Sequence, residues 1–85
     1  MSKVTVYRTA WCPFCQRAEA LLATKSISDL DIIDIETQPG ARDKMIELTG
    51  RTSVPQIFVG DHHVGGCDDL HDLQNKGELD ALLAQ

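Results

Sequence analysis

Cys12 and Cys15 stand in the run Trp11-Cys12-Pro13-Phe14-Cys15. Two thiols at this spacing can exchange with a disulfide, clip a metal or stay inert. The thiolate is the attacking form, and a free cysteine titrates near ~8.5. Pro13 suits the first position of a helix, where no backbone N–H is needed. Cys12 is then the N-cap, where unsatisfied N–H groups and the positive end of the helix dipole favour an anion. Cys15, one turn later, can reach back to the Cys12 sulfur. That arrangement fits reversible dithiol–disulfide exchange. The competing chemistry is a zinc site completed by Cys67 and His71,. A pair that opens a helix directly after a strand favours the redox couple.

Two further stretches can bind a ligand. Ser53-Val54-Pro55 precedes an apolar run, and a proline there cannot donate to a sheet ladder,. One reading is an ordinary strand-initiating proline. The other is a cis-proline loop that leaves the Val54 backbone free to pair with an extended peptide. In Gly65-Gly66-Cys67-Asp68-Asp69, the glycines allow close approach,. Acidic residues at a helix start ordinarily cap it and offset its dipole. The same N–H groups can also hold a ligand carboxylate, and Asp68 and Asp69 an ammonium. An amino-acid zwitterion matches both.

Other polar residues have plainer readings. Cys67 is expected to be a small, partly buried residue, with oxidation as its alternative fate. His62 and His63 are expected in a solvated hairpin tip, and His71 at the surface. Trp11 is either scaffold or an exposed contact for protein substrates.

The elements that position these residues follow from pattern. Residues 3–8 alternate and are β-branched, which predicts a strand,. Phe14, Ala18, Leu21 and Leu22 follow helical spacing,. Residues 30–35 predict a buried strand. Residues 39–49 predict a helix, with Pro39 at its start and Gly50 at its end,. Residues 56–59 predict a strand, and Gly60-Asp61 a turn into a short strand near His63 and Val64,. A final helical region carries Leu70, Leu73, Leu79, Leu82 and Leu83, with a break at Gly77. The order β-α-β-α-β-β-α implies an α/β fold. Its start is parallel with a right-handed crossover, and a hairpin closes one mixed sheet.

Size and charge narrow the function. Eighty-five residues suffice for one small domain and not two,. Three cysteines make a poor disulfide framework,. The first ten residues lack the apolar run of a signal peptide, and no stretch reaches membrane-spanning length. A reducing cytoplasmic location is therefore expected, where a cysteine pair is catalytic or metal-binding rather than a staple. The net charge of −5 argues against nucleic-acid and anionic-membrane surfaces,. Residues 1–25 carry Lys3, Arg8, Arg17 and Lys25 against Glu19 alone, whereas the rest of the chain is acidic. This local bias is expected either to favour a thiolate or to be chance.

Taken together, Cys12-Pro13-Phe14-Cys15, Thr49-Gly50-Arg51-Thr52-Ser53-Val54-Pro55 and Gly65-Gly66-Cys67-Asp68-Asp69-Leu70 resemble the glutaredoxins, in particular the short bacterial dithiol type. The likeness runs through essentially the whole chain. It implies a thioredoxin fold, with a four-stranded mixed sheet flanked by three or more helices. It also implies a monomer that uses glutathione as co-substrate, holds no tightly bound cofactor or metal, and acts on disulfide-containing or glutathionylated proteins. Cys12 would be the nucleophile and Cys15 the resolving thiol. Val54 and a cis Pro55 would pair with the glutathione backbone. Asp68 and Asp69 would hold its γ-glutamyl end, and Arg51 its glycine carboxylate. Phe14 and Cys67 would line the groove.

The chain departs from the family at three places. Phe14 stands where tyrosine is usual, and Ser53 where threonine is commoner. Thr9 stands where lysine is usual; Arg8 precedes it, but neighbours on a strand face opposite ways,. Two rival functions share the motif. One is a glutaredoxin-like protein reduced by thioredoxin reductase, which the Asp68-Asp69 pair disfavours. The other is an iron–sulfur carrier bridging two subunits, which Pro13 disfavours.

Overall fold

The computed structural model describes residues 2–85. The strands are β1 (Val4–Arg8), β2 (Leu30–Asp34), β3 (Gln56–Val59) and β4 (His62–Gly65). The helices are α1 (Pro13–Ala23), α2 (Ala41–Thr49), α3 (Cys67–Asn75) and α4 (Leu79–Leu83). The sheet order is β2-β1-β3-β4. β1 and β2 run parallel, with Val6 opposite Ile32. β3 is antiparallel to both β1 and β4. The mixed sheet expected from the element order is thus observed.

Alternation along the strands divides the core in two. Val4, Val6, Ile57 and Val59 face one side, where Ala18 and Leu22 of α1, Leu70 of α3, and Leu79 and Leu83 of α4 cover them. Tyr7 faces the other side with Ile35, Ala41 and Met45, against α2. Each fully buried aliphatic side chain contributes about 1.5–3 kcal/mol, so this aliphatic set carries the fold. β1 lies near the middle of the sheet, buried on both faces. Its C-terminal end therefore delivers the chain to a fixed point, from which the turn over Ala10 and Trp11 enters α1.

Some boundaries differ from the sequence pattern. The first two strands end one residue short of the expectation at one end each, at Val4 and at Asp34. α2 starts at Ala41 rather than Pro39. Gly40 is left-handed, with φ of 77°, a conformation that cannot continue a right-handed helix,. Pro39 belongs to the preceding turn, closed by the Ala41 N–H donating to the Gln38 carbonyl at 3.1 Å. Gly77, with φ of 73°, divides the last helical region into α3 and α4.

The basic bias of residues 1–25 does not gather at the cysteine pair. Lys3 pairs with Asp31 at 3.7 Å, Arg8 with Glu19 at 2.9 Å and Lys25 with Asp80 at 2.9 Å. These contacts brace β1 to β2, β1 to α1, and the end of α1 to α4. Three of the four basic side chains are thus spent between elements, and the fourth, Arg17, acts on the Cys67 thiol.

Candidate active site

Cys12 is the N-cap of α1, extended at φ −118° and ψ 107°. Its Sγ accepts the Cys15 N–H at 3.1 Å, and its carbonyl accepts the Gln16 N–H at 3.0 Å. Pro13 holds the first helical position. The helix start therefore turns a backbone donor on the Cys12 sulfur, as the sequence implied. Cys12 is half-buried, whereas Cys15 has no exposed surface. Burial, then the neighbouring Cys12 side chain, pushes the Cys15 thiol up to about 12, against a backbone hydrogen bond from Thr9. At neutral pH Cys15 keeps its proton. One sulfur can meet a substrate, and the other waits behind it.

A cleft of about 190 Å³ lies between the loop before β3 and the start of α3. Phe14, Arg51, Val54, Cys67, Asp68 and Asp69 are among its walls. The Val54–Pro55 bond is cis, so the loop is not an ordinary strand-initiating proline. The Cys12 Sγ is 3.9 Å from the Val54 carbonyl oxygen. Among the described residues, the Val54 N–H has no hydrogen-bond partner.

Across the cleft, α3 begins from Gly66. The Gly66 N–H donates to Asp69 Oδ2 at 2.9 Å, the carboxylate half of a capping box,. The same oxygen meets Arg51 Nη1 at 3.5 Å. Asp69 thus serves its own helix and the facing loop, while Asp68 stands exposed beside them. Gly65 has φ of +115°, and a Cβ there would collide with the Asp69 carboxylate. Glycine is required at that position on both counts.

Cys67 is buried, and burial raises its thiol pKa while the charge of Arg17 opposes that rise. Its Sγ is 3.5 Å from His71 Nδ1, which also lies 2.9 Å from the Cys67 carbonyl oxygen. A carbonyl only accepts, so His71 Nδ1 carries the hydrogen and faces its own helix. His71 is therefore half-buried against Cys67 rather than a free surface residue. Among the described residues no three of His, Cys, Asp and Glu converge as metal ligands. The zinc site drawn from Cys12, Cys15, Cys67 and His71 is not assembled.

Trp11 is 92% exposed and Phe14 54%, so Trp11 is not scaffold. Sequence reasoning missed Gln56 and His63. His63 is half-buried, bonded to Gln56 at 2.8 Å and stacked on Phe58, not solvated in a hairpin tip. The available signal was a lone amide in the apolar run Gln56-Ile57-Phe58-Val59.

A parallel β-α-β start, a closing hairpin and a dithiol at the first helix define a thiol–disulfide oxidoreductase of the thioredoxin fold. The sequence model of the glutaredoxin family matches residues 4–64. A glutaredoxin from Pseudomonas aeruginosa is 49% identical over 84 residues, covering 99% of both chains. Glutaredoxin 3 of Escherichia coli K12 is 46% identical over 83 residues, covering 98% of this chain and 99% of its own. The solution structure of a glutaredoxin from Brucella melitensis superposes with a TM-score of 0.82 at 48% identity. It covers 98% of this chain and 89% of that one. The chain belongs to the glutaredoxin family. Among the described residues, no helix is long and apolar enough to cross a membrane.

Proposed function

We propose that the protein is a glutathione-dependent reductase of protein disulfides and glutathione mixed disulfides. One observation carries this reading: the half-buried Cys12 sulfur lies beside the Val54 backbone, with a fully buried Cys15 one helical turn on. With a mixed disulfide, the Cys12 thiolate attacks the glutathione sulfur. The old S–S bond breaks, and the released thiolate takes up a proton. A second glutathione thiolate then attacks the glutathionyl sulfur on Cys12, freeing oxidised glutathione and the Cys12 thiolate. With a protein disulfide, the Cys12 thiolate attacks one sulfur, the old S–S bond breaks, and the other sulfur leaves as a thiolate that takes up a proton. Cys15 loses its proton as it attacks the Cys12 sulfur, releasing the reduced protein and leaving a Cys12–Cys15 disulfide. Two glutathiones return it to the dithiol.

Glutathione is an extended peptide with a zwitterionic γ-glutamyl end. The Val54 backbone suits its peptide part by β-type pairing. The N–H groups that open α3 suit the γ-glutamyl carboxylate, and Asp68 suits its ammonium. Asp69 contributes by holding the α3 start through Gly66. Arg51 suits the glycine carboxylate, Phe14 walls the cleft near the sulfur, and Pro55 and Cys67 complete its lining. The chain works as a single domain, as a monomer and without a tightly bound cofactor.

Glutathione-dependent reduction of a small glutathione mixed disulfide tests this reading. Wild type should turn over, Cys12→Ser should be inactive, and Cys15→Ser should retain activity on the adduct but lose reduction of protein disulfides. An active Cys12→Ser, or a wild type indifferent to glutathione, overturns it.

A further inference from the structure

Among the described residues, Gln56 is the one buried polar side chain, 1% exposed. It opens β3 directly after Pro55 and borders the cleft. Its Nε2 stands 3.0 Å from the Ser53 carbonyl oxygen and 3.3 Å from Ser53 Oγ. A carbonyl oxygen only accepts, so the amide nitrogen must face Ser53. The amide oxygen then faces His63 Nε2 at 2.8 Å, and that nitrogen must carry a hydrogen. His63 is itself held by stacking on Phe58, with ring centroids 5.0 Å apart and planes inclined at 29°. Burial, then the charge of Arg51, lowers the His63 pKa. Both the neutral Nε2–H tautomer and the cation donate to Gln56, so the contact survives titration. Hydrogen bonds therefore run from His63 to Gln56 to Ser53, from β4 to the cleft loop.

The end of this chain is a peptide plane. The Ser53 carbonyl and the Val54 N–H belong to one rigid trans unit and point in opposite directions,. Drawing the Ser53 oxygen inward onto Gln56 turns the Val54 N–H outward. That N–H has no partner among the described residues. We propose that Gln56, oriented by His63, is a positioning residue that aims the Val54 N–H at an acceptor carbonyl of the bound peptide. The proposal rests on the reading of Val54 as the glutathione-pairing edge. Neither Gln56 nor His63 touches the reacting sulfurs.

Gln56→Met keeps length and volume but neither donates nor accepts through an amide. The KM for a glutathione mixed disulfide should rise about tenfold, the equivalent of one ligand hydrogen bond. kcat should stay within about twofold, since the contact acts equally in ground and transition states. In amide NMR of the free protein, the Val54 resonance should shift, and its response to added glutathione should shrink. His63→Phe keeps a ring on Phe58 and removes the donor. It should move KM and the Val54 resonance in the same direction by a smaller amount, and it serves if Gln56→Met does not fold. Folded Gln56→Met with wild-type KM and an unmoved Val54 resonance overturns the proposal. So does a fall in kcat with KM unchanged. A wild type that fails to saturate with the glutathione substrate overturns the proposed function instead. The Val54 shift in the free variant still tests the positioning by itself.

Discussion

Cys12 and Cys15 share a motif and one turn of helix, yet their surroundings separate them. Cys15 is fully buried, and its thiol is pushed up to about 12. A raised pKa in the folded state means that the folded protein holds the proton more tightly than the unfolded chain. The associated stability is fully present below about pH 9 and is lost as pH climbs toward 12. The slope for one such proton reaches about 1.4 kcal/mol per pH unit. Tyr7 and Cys67 also titrate upward, so the Cys15 share must be isolated by substitution. Urea midpoints of the fully reduced protein should fall between about pH 8 and pH 10.5, and fall less steeply in Cys15→Ser. Equal slopes in the two proteins would remove Cys15 as a source. The asymmetry between the thiols was visible in the sequence only as an order along a helix. Burial decided it, and burial depends on which side of α1 the sheet occupies.

At the scale of elements, the start of α3 is built by mutual constraint. Asp69 caps the Gly66 N–H, reaches Arg51 on the facing loop and fills the space where a Gly65 side chain would stand. Gly65→Ala should therefore destabilise the fold by about 1–3 kcal/mol, through both left-handed backbone strain and collision. Asp69→Ala removes the collision but also the cap. The double variant should be more stable than the sum of the two losses by at least about 0.5 kcal/mol. A double-mutant cycle in urea reads this coupling, and strict additivity would deny the contact. The glycines and the aspartates were legible as a helix start. Their interlocking was not, because Arg51 arrives from a loop eighteen residues before Asp69 in the chain. α2 shows the converse: Pro39 suggested a helix start, but the left-handed Gly40 beside it overrode that local signal.

Across the whole molecule, the core is a shared aliphatic volume, and short elements are stable only within it. α4 has five residues, far below the length at which an isolated helix persists,. Leu79 and Leu83 nevertheless lie in the same buried cluster as Val4, Val6 and Leu22. Lys25 reaches Asp80 at 2.9 Å and fastens α4 to the end of α1. Leu79→Ala should therefore cost about 2–5 kcal/mol, as much as Leu22→Ala in the longer α1. Denaturant unfolding of both variants checks this. A loss below about 1 kcal/mol for Leu79→Ala would mean that α4 lies outside the cooperative unit.

By itself, the sequence determined the element order, the mixed sheet, Cys12 as helix cap and three separate stretches able to bind or react. These follow from short-range rules: alternation along strands, apolar spacing in helices and the fixed geometry of proline and glycine. Only the tertiary structure decided which charges are spent on packing, which thiol is sealed and how Asp69 is divided between a cap and Arg51. It alone brought His63 onto Gln56 and Gln56 onto the Ser53 carbonyl. Those outcomes depend on where side chains meet in three dimensions, and composition and spacing carry no measure of such distances.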